Sequence, residues 1–262
     1  MLLQRILTSL AIVLAVGSII YFLTGPVFAT VVTLIAALAT YEWAGFMRLQ
    51  SVLAKTVYVL GFLIFAWIVL AGGVWSDGVY LGLLGYWLIA LILMGFYPKG
   101  AALVRQPILL GLAGYIVLLG VVFSVVSIRN TEAGVILLYW LIVITAATDV
   151  GAYFAGRALG SHRLAPALSP GKTWEGALGG GVLALSLGLT GAVWLLQIQP
   201  TFAAVLIILL IGLAILGDLF ESLIKRATGI KDSGRLLPGH GGILDRIDSL
   251  LMTSPLAAWV LT

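Results

Sequence analysis

Cysteine is absent from the 262-residue chain, which excludes disulfides, thiolate nucleophiles and Cys-held zinc or iron–sulfur centres. Histidine is nearly absent. His162 and His240 stand too far apart in sequence to suggest a His-rich metal cluster. Charge is also scarce: 9% of residues are Asp, Glu, Lys or Arg, against about a quarter in a water-soluble domain. So little polar material cannot coat a soluble globule. What remains is apolar, with 62% hydrophobic residues and a mean hydropathy of +1.18, so the chain belongs in a membrane. Acids are the rarer sign, 10 against 14 Lys and Arg, for a net charge of +4 and a pI near 9.4. In a membrane protein this excess reflects the positive-inside bias and a site for an anionic substrate rather than nucleic acid.

About 20 apolar helical residues span a hydrocarbon core. Nine stretches qualify: 6–24, 27–46, 53–72, 79–97, 107–128, 134–155, 174–197, 201–224 and 243–261. Breakers such as Gly25-Pro26, Gly72-Gly73, Pro98, Pro107, Pro170-Gly171, Pro200 and Pro238-Gly239 separate them. The expected fold is all-α, a polytopic bundle of about nine spans. Barrel strands are much shorter than these segments. The first stretch, after Gln4-Arg5, is longer than a signal-peptide core and reads as a retained signal-anchor. With the N-terminus in the cytoplasm, every Lys and Arg except Arg129 falls in a cytoplasmic loop or helix end. The expected topology is therefore N-in, C-out, as a multi-pass protein of the cell (inner) membrane. Residues 1–133 supply about five spans with isolated charges. Residues 134–262 supply about four, with two Gly-rich polar loops near 156–173 and 225–242, expected on the cytoplasmic side. No internal repeat points to an inverted-repeat transporter.

Ionisable residues within spans are costly and mark function by default. Asp149, Asp218, Glu221, Asp245, Arg246 and Asp248 fall inside or at the cytoplasmic ends of the last four stretches. Asp245 and Asp248 are spaced i,i+3, and Asp218 and Ser222 i,i+4, so each pair shares a helical face. Clustered carboxylates with a hydroxyl and no sulfur suit a hard cation such as Mg²⁺. Lys225, Arg226, Lys231 and Arg235 offer donors to phosphate oxygens. Gly239, Gly241 and Gly242 allow close backbone approach around His240, just before a helix N-terminus suited to an anion. The basic residues alone are equally well explained as a positive-inside loop. That explanation leaves the glycines around His240 and the Asp-x-x-Asp after them unaccounted for. Earlier, Ser169-Pro-Gly-Lys-Thr-Trp-Glu-Gly176 contains Gly-Lys-Thr, but a P-loop needs a glycine where Pro166 stands, and no strand is expected before it. Ser169, Lys172 and Thr173 remain phosphate-binding candidates at the start of the seventh span.

The stretch 222–248 runs Ser, then Lys-Arg, Lys-Asp, Pro-Gly-His-Gly-Gly and Asp-Arg-x-Asp. It resembles, almost position by position, the signature of the phosphatidate cytidylyltransferases (CDP-diacylglycerol synthases). The Ser169–Gly176 loop and the Asp149–Arg157 region look like that family too. The resemblance covers about 149–250, with no departure at the signature's polar positions. It implies a metal-dependent nucleotidyltransferase of phospholipid biosynthesis: CTP + phosphatidate → CDP-diacylglycerol + diphosphate. On that reading Asp218, Asp245 and Asp248 are metal ligands, with Ser222 as helper and Asp149 as a further ligand candidate. Lys225 and Arg226, with Lys172, Lys231 and Arg246, handle phosphates. Ser169, Thr173, Asp232, His240, Gly241 and Gly242 complete the substrate site. A second ion, divalent or K⁺, and a homodimer fit the same resemblance. An ion-coupled transporter would place charges at span centres in both halves, and a CDP-alcohol phosphotransferase would carry an Asp-Gly-x-x-Ala-Arg pattern. Neither feature is present.

Overall fold

The computed structural model describes residues 2–72, 77–234, 236 and 241–262, with side chains from Leu7 onward. Ten helices and one small hairpin follow in order: α1 Leu2–Phe22, α2 Gly25–Phe46, α3 Val52–Gly72, α4 Asp77–Gly95, the single turn α5 Ala101–Val104, α6 Pro107–Arg129, α7 Gly134–Leu159, β1 Arg163–Ala165, β2 Ser169–Thr173, α8 Trp174–Trp194, α9 Pro200–Thr228 and α10 Leu244–Leu261. The all-α expectation is met apart from that hairpin. Among the described residues, seven helices (α2, α3, α4, α6, α7, α8 and α9) are long and apolar enough to cross a membrane. The described side chains of α1 make a shorter apolar helix, Leu7–Phe22. Helix α10 stands outside the seven, with Asp245, Arg246 and Asp248 crowded into its start.

Local signals explain the boundaries. Pro26, Pro107 and Pro200 each sit in the first turn of their helix, where a missing N–H costs nothing. Gln199 adds a side-chain cap to α9, accepting from Phe202 N–H at 2.7 Å. At the other end of α9, Gly229 adopts φ +76°, and Ile230 N–H closes onto Lys225 C=O at 2.9 Å. This glycine cap lies beyond the expected end at 224. Lys225 and Arg226 are therefore helical, not part of the loop. The other polar loop differs as well. Helix α7 runs on to Leu159, and β1 and β2 pair antiparallel, Arg163 opposite Thr173 and Ala165 opposite Ser169. A strand, β1, thus precedes the Gly-Lys-Thr segment, contrary to the expectation of none, and Gly171 and Lys172 themselves ride on β2 rather than in a loop.

Helix α9 runs through the middle of the bundle, touching α2, α4, α5, α7, α8 and α10. One apolar core spans helices from both sides of residue 133. At its centre Trp43 of α2 donates to Leu110 C=O at 2.8 Å, and Phe220 of α9 meets Trp87 edge-on with ring centroids 5.0 Å apart.

Helices α7 and α8 approach each other closely, and glycine makes that approach possible. A Cβ at Gly151 would stand 2.8 Å from Gly180 Cα, and one at Gly180 would run into Thr148 C=O. Small residues let helix backbones meet where lipid supplies no hydrophobic drive. Gly180→Val should therefore pry α8 from α7 beside Asp149 and destabilise the protein by about 1–3 kcal/mol through overpacking. Gly212→Val, at a glycine with open space around it, should change stability by less than about 0.5 kcal/mol. Thermal unfolding in detergent compares the two, and equal losses would remove the special role given to the crossing.

Candidate active site

The C-terminal part of α7, the hairpin, the start of α8, the polar part of α9 and the start of α10 enclose a cavity of about 400 Å³. Thr148, Asp149 and Tyr153 come from α7, Gly171, Lys172 and Thr173 from β2, Asp218 from α9, and Asp245, Arg246 and Asp248 from α10. The i,i+3 spacing of Asp245 and Asp248 turns both toward this space, as the sequence suggested.

Three acids from three helices, Asp149, Asp218 and Asp248, share its lining. The charges of Asp149, Asp218 and Asp248 act on one another, and Lys172 and Arg246 offset them. Lys172 reaches from β2 to Asp218 with Nζ 2.5 Å from Oδ2. Ser249 Oγ lies 3.5 Å from Asp149 Oδ2 and 3.4 Å from Asp248 Oδ1, joining α7 to α10. Thr173 is buried and its hydroxyl accepts from Gly176 N–H at 3.1 Å. It caps α8 and so holds Lys172 at the cavity wall.

A second polar cluster adjoins the first. Lys225 bridges buried Glu221, at 2.8 Å, and Asp245. The late end of α9 makes this possible, because helix places Glu221 and Lys225 one turn apart. Asp245 also accepts from Gly242 N–H at 2.8 Å. Gly241 takes φ +84°, and a Cβ there would come within 2.7 Å of Asp245 Oδ2. Only glycine fits that turn comfortably.

Of the sequence-predicted residues, Asp149, Lys172, Thr173, Asp218, Asp245, Arg246 and Asp248 line one cavity, and Lys225, Gly241 and Gly242 adjoin it through Asp245. Ser222 sits one turn beyond Asp218 on α9 and does not line the cavity. Ser169 begins β2, and Arg226 is exposed with its Nε donating to Leu168 C=O at 3.2 Å. Lys231 and Asp232 are exposed after α9. Arg235, Pro238, Gly239 and His240 lie outside the described residues. Among the described residues, no group of three Asp, Glu, His or Cys side chains is arranged to hold a metal ion. Lys172 and Lys225 lie against two of the acids instead. The donor set is nevertheless all oxygen, the chemistry a hard cation requires.

One buried acid beside the site escaped the sequence reading. Glu42 of α2 is 5% exposed, and its Oε2 accepts from Leu244 N–H at the start of α10, 3.0 Å away. The signal was available, since Glu42 is an acid inside the apolar stretch 27–46 and the intramembrane-charge rule applies to it equally.

Comparison with known proteins identifies the family. The model of the cytidylyltransferase family matches residues 3–262. The phosphatidate cytidylyltransferase of Pseudomonas aeruginosa is 38% identical over 100% of this chain and 97% of its own. That of Haemophilus influenzae is 34% identical over 97% of this chain and 96% of its own. That of Helicobacter pylori strain 26695 is 50% identical over 46% of this chain and 45% of its own. With matches that run along the whole chain, it belongs to the cytidylyltransferase family, among its phosphatidate cytidylyltransferases.

Proposed function

We propose that the chain makes CDP-diacylglycerol and diphosphate from CTP and phosphatidate, as a nucleotidyltransferase of phospholipid biosynthesis. Full-length similarity to two phosphatidate cytidylyltransferases carries this reading, and the cavity lined by four aspartates with Lys172 and Arg246 supports it. A phosphate oxygen of phosphatidate attacks the α-phosphorus of CTP. The new P–O bond forms as the bond to the β-phosphate breaks, and diphosphate leaves. Phosphatidate is already an anionic nucleophile, so no Ser or Cys need be activated. The difficulty is to bring two polyanions together and hold them in line, which is a task of positioning and charge neutralisation.

The chain's own residues meet that task. Lys172, on the hairpin, exchanges Asp218 for a phosphate of CTP or of the leaving diphosphate. Arg246 flanks the same cavity, and Lys225, Arg226 and Lys231 hold phosphates at its rim. Asp218, Asp245 and Asp248, with Ser222 as helper and Asp149 as a further candidate, would offer oxygen donors to Mg²⁺, and to a second ion, once Lys172 and Lys225 leave Asp218 and Asp245 for phosphate. When bound, the ion would neutralise phosphate oxygens and orient them. The acyl chains stay among the helices while the headgroup enters from the cytoplasmic face. The N-terminus is cytoplasmic in this scheme, and the chain works as a homodimer in the inner membrane.

The test uses purified protein in detergent with labelled CTP, phosphatidate and Mg²⁺. The expected products are CDP-diacylglycerol and diphosphate, and absence of both sinks the reading. Chelation by EDTA should abolish turnover and added Mg²⁺ restore it. Undiminished turnover in excess EDTA would remove the metal from the scheme and leave the reaction class standing.

A further inference from the structure

We infer that Glu42, in the second helix, is a positioning residue of this site, supplying from α2 the cap that sets where α10 begins. The inference rests on the nucleotidyl-transfer reading of the cavity. A helix start leaves its first N–H groups without intrahelical partners. In α10 the N-cap position is Ile243, whose side chain makes no cap hydrogen bond. Glu42 fills that role from 202 residues away in sequence, with Oε2 accepting from Leu244 N–H at 3.0 Å. Ile243 N–H is directed at the same carboxylate. A carboxylate at a helix N-terminus also complements the helix dipole.

The loop before α10 is shaped around this carboxylate. A Cβ at Gly234 would run into Glu42 Oε1, and a Cβ at Gly242 would meet Glu42 Oε2 at 2.5 Å. The other oxygen, Oε1, is buried and meets no well-formed hydrogen bond among the described residues, with Ser233 the hydroxyl beside the carboxylate. Buried polar atoms are nearly always satisfied, so a carboxylate retained at such cost in a spanning helix points to a role beyond packing. What Glu42 aims is the turn of α10 that presents Asp245 and Asp248 to the cavity. Each residue of slip at the helix start would rotate those acids by about 100° and part Asp248 from Asp149 and Asp218. The first-half helices therefore do more than anchor the protein, because one of them sets the register of the reacting end.

The experiment combines amide hydrogen exchange with turnover in the full-length protein. In Glu42→Ala, exchange should speed up at least tenfold over residues 241–250 and stay unchanged in α6 and α9, while kcat falls at least tenfold. Glu42→Gln keeps an acceptor for Leu244 N–H and should retain kcat within about threefold. Gly234→Ala should impair the wild type, yet add nothing in the Glu42→Ala background, where the space is vacant. The inference is overturned by unchanged exchange over 241–250, by exchange loosened in all helices alike, by a Gln variant as poor as Ala, or by an equal cost of Gly234→Ala in both backgrounds. An unmutated protein without CTP-dependent product would defeat the reaction reading instead, and the exchange arms would still decide the role of Glu42.

Discussion

Asp248→Asn lowers turnover about 10²–10³-fold, the scale on which loss of one group stabilising transition-state charge is felt, and leaves the melting temperature unchanged or slightly raised. Asp248 sits among like charges, Asp149 and Asp218, in the lining of the cavity. Asn keeps its shape and removes repulsion that the folded state must otherwise bear. Activity and stability then move in opposite directions, which a merely structural acid does not produce. Asp245→Asn serves as the contrast. Asp245 also binds Lys225 and accepts from Gly242 N–H, so its loss should lower stability and turnover together. Steady-state kinetics with CTP and phosphatidate, beside thermal unfolding in detergent, reads both variants. Near-wild-type turnover in Asp248→Asn overturns its assignment to the reacting centre.

Lys225→Met destabilises the protein by about 3–5 kcal/mol, the cost of breaking a buried ion pair by removing one partner. The Lys225 side chain is 17% exposed and the Glu221 side chain 2%. Without the ammonium, Glu221 and Asp245 face each other uncompensated between α9 and α10. The double variant Lys225→Met/Glu221→Gln removes the stranded buried charge and should recover most of the melting temperature. Turnover should stay low, because Lys225 is assigned to phosphate as well as to the acids. Full recovery of turnover in the double variant would confine Lys225 to neutralising Glu221 and Asp245.

These variants turn on contacts of different legibility. Asp245 and Asp248 were readable because i,i+3 spacing puts two side chains on one face wherever the helix packs. The Lys225–Glu221 pair was not placed within one helix, because the sequence reading ended the stretch 201–224 just before Lys225. The glycine cap at Gly229 lies beyond that point, and hydropathy falls before the helix does. The hairpin of 163–173 was missed since a strand of three residues and one of five that holds Pro170 and Gly171 carry no usable alternation. Glu42 had a signal, an acid in an apolar run, but its partner lies 202 residues away. No local pattern encodes that distance.

The sequence by itself determined that this is a membrane protein of long apolar helices, because 9% charge leaves no soluble alternative. It also singled out the acids and bases to look for at a site, because charges in such a chain are costly to keep. Only the tertiary structure decided how they are grouped. Asp149, Asp218 and Asp248 face one cavity because Gly151 and Gly180 let α7 and α8 touch, and α9 and α10 close the same end of the bundle. Lys225 and Asp245 pair because α9 keeps its helix to Thr228. Those groupings follow from backbone approach and helix register between distant segments, which residue spacing within one segment does not specify.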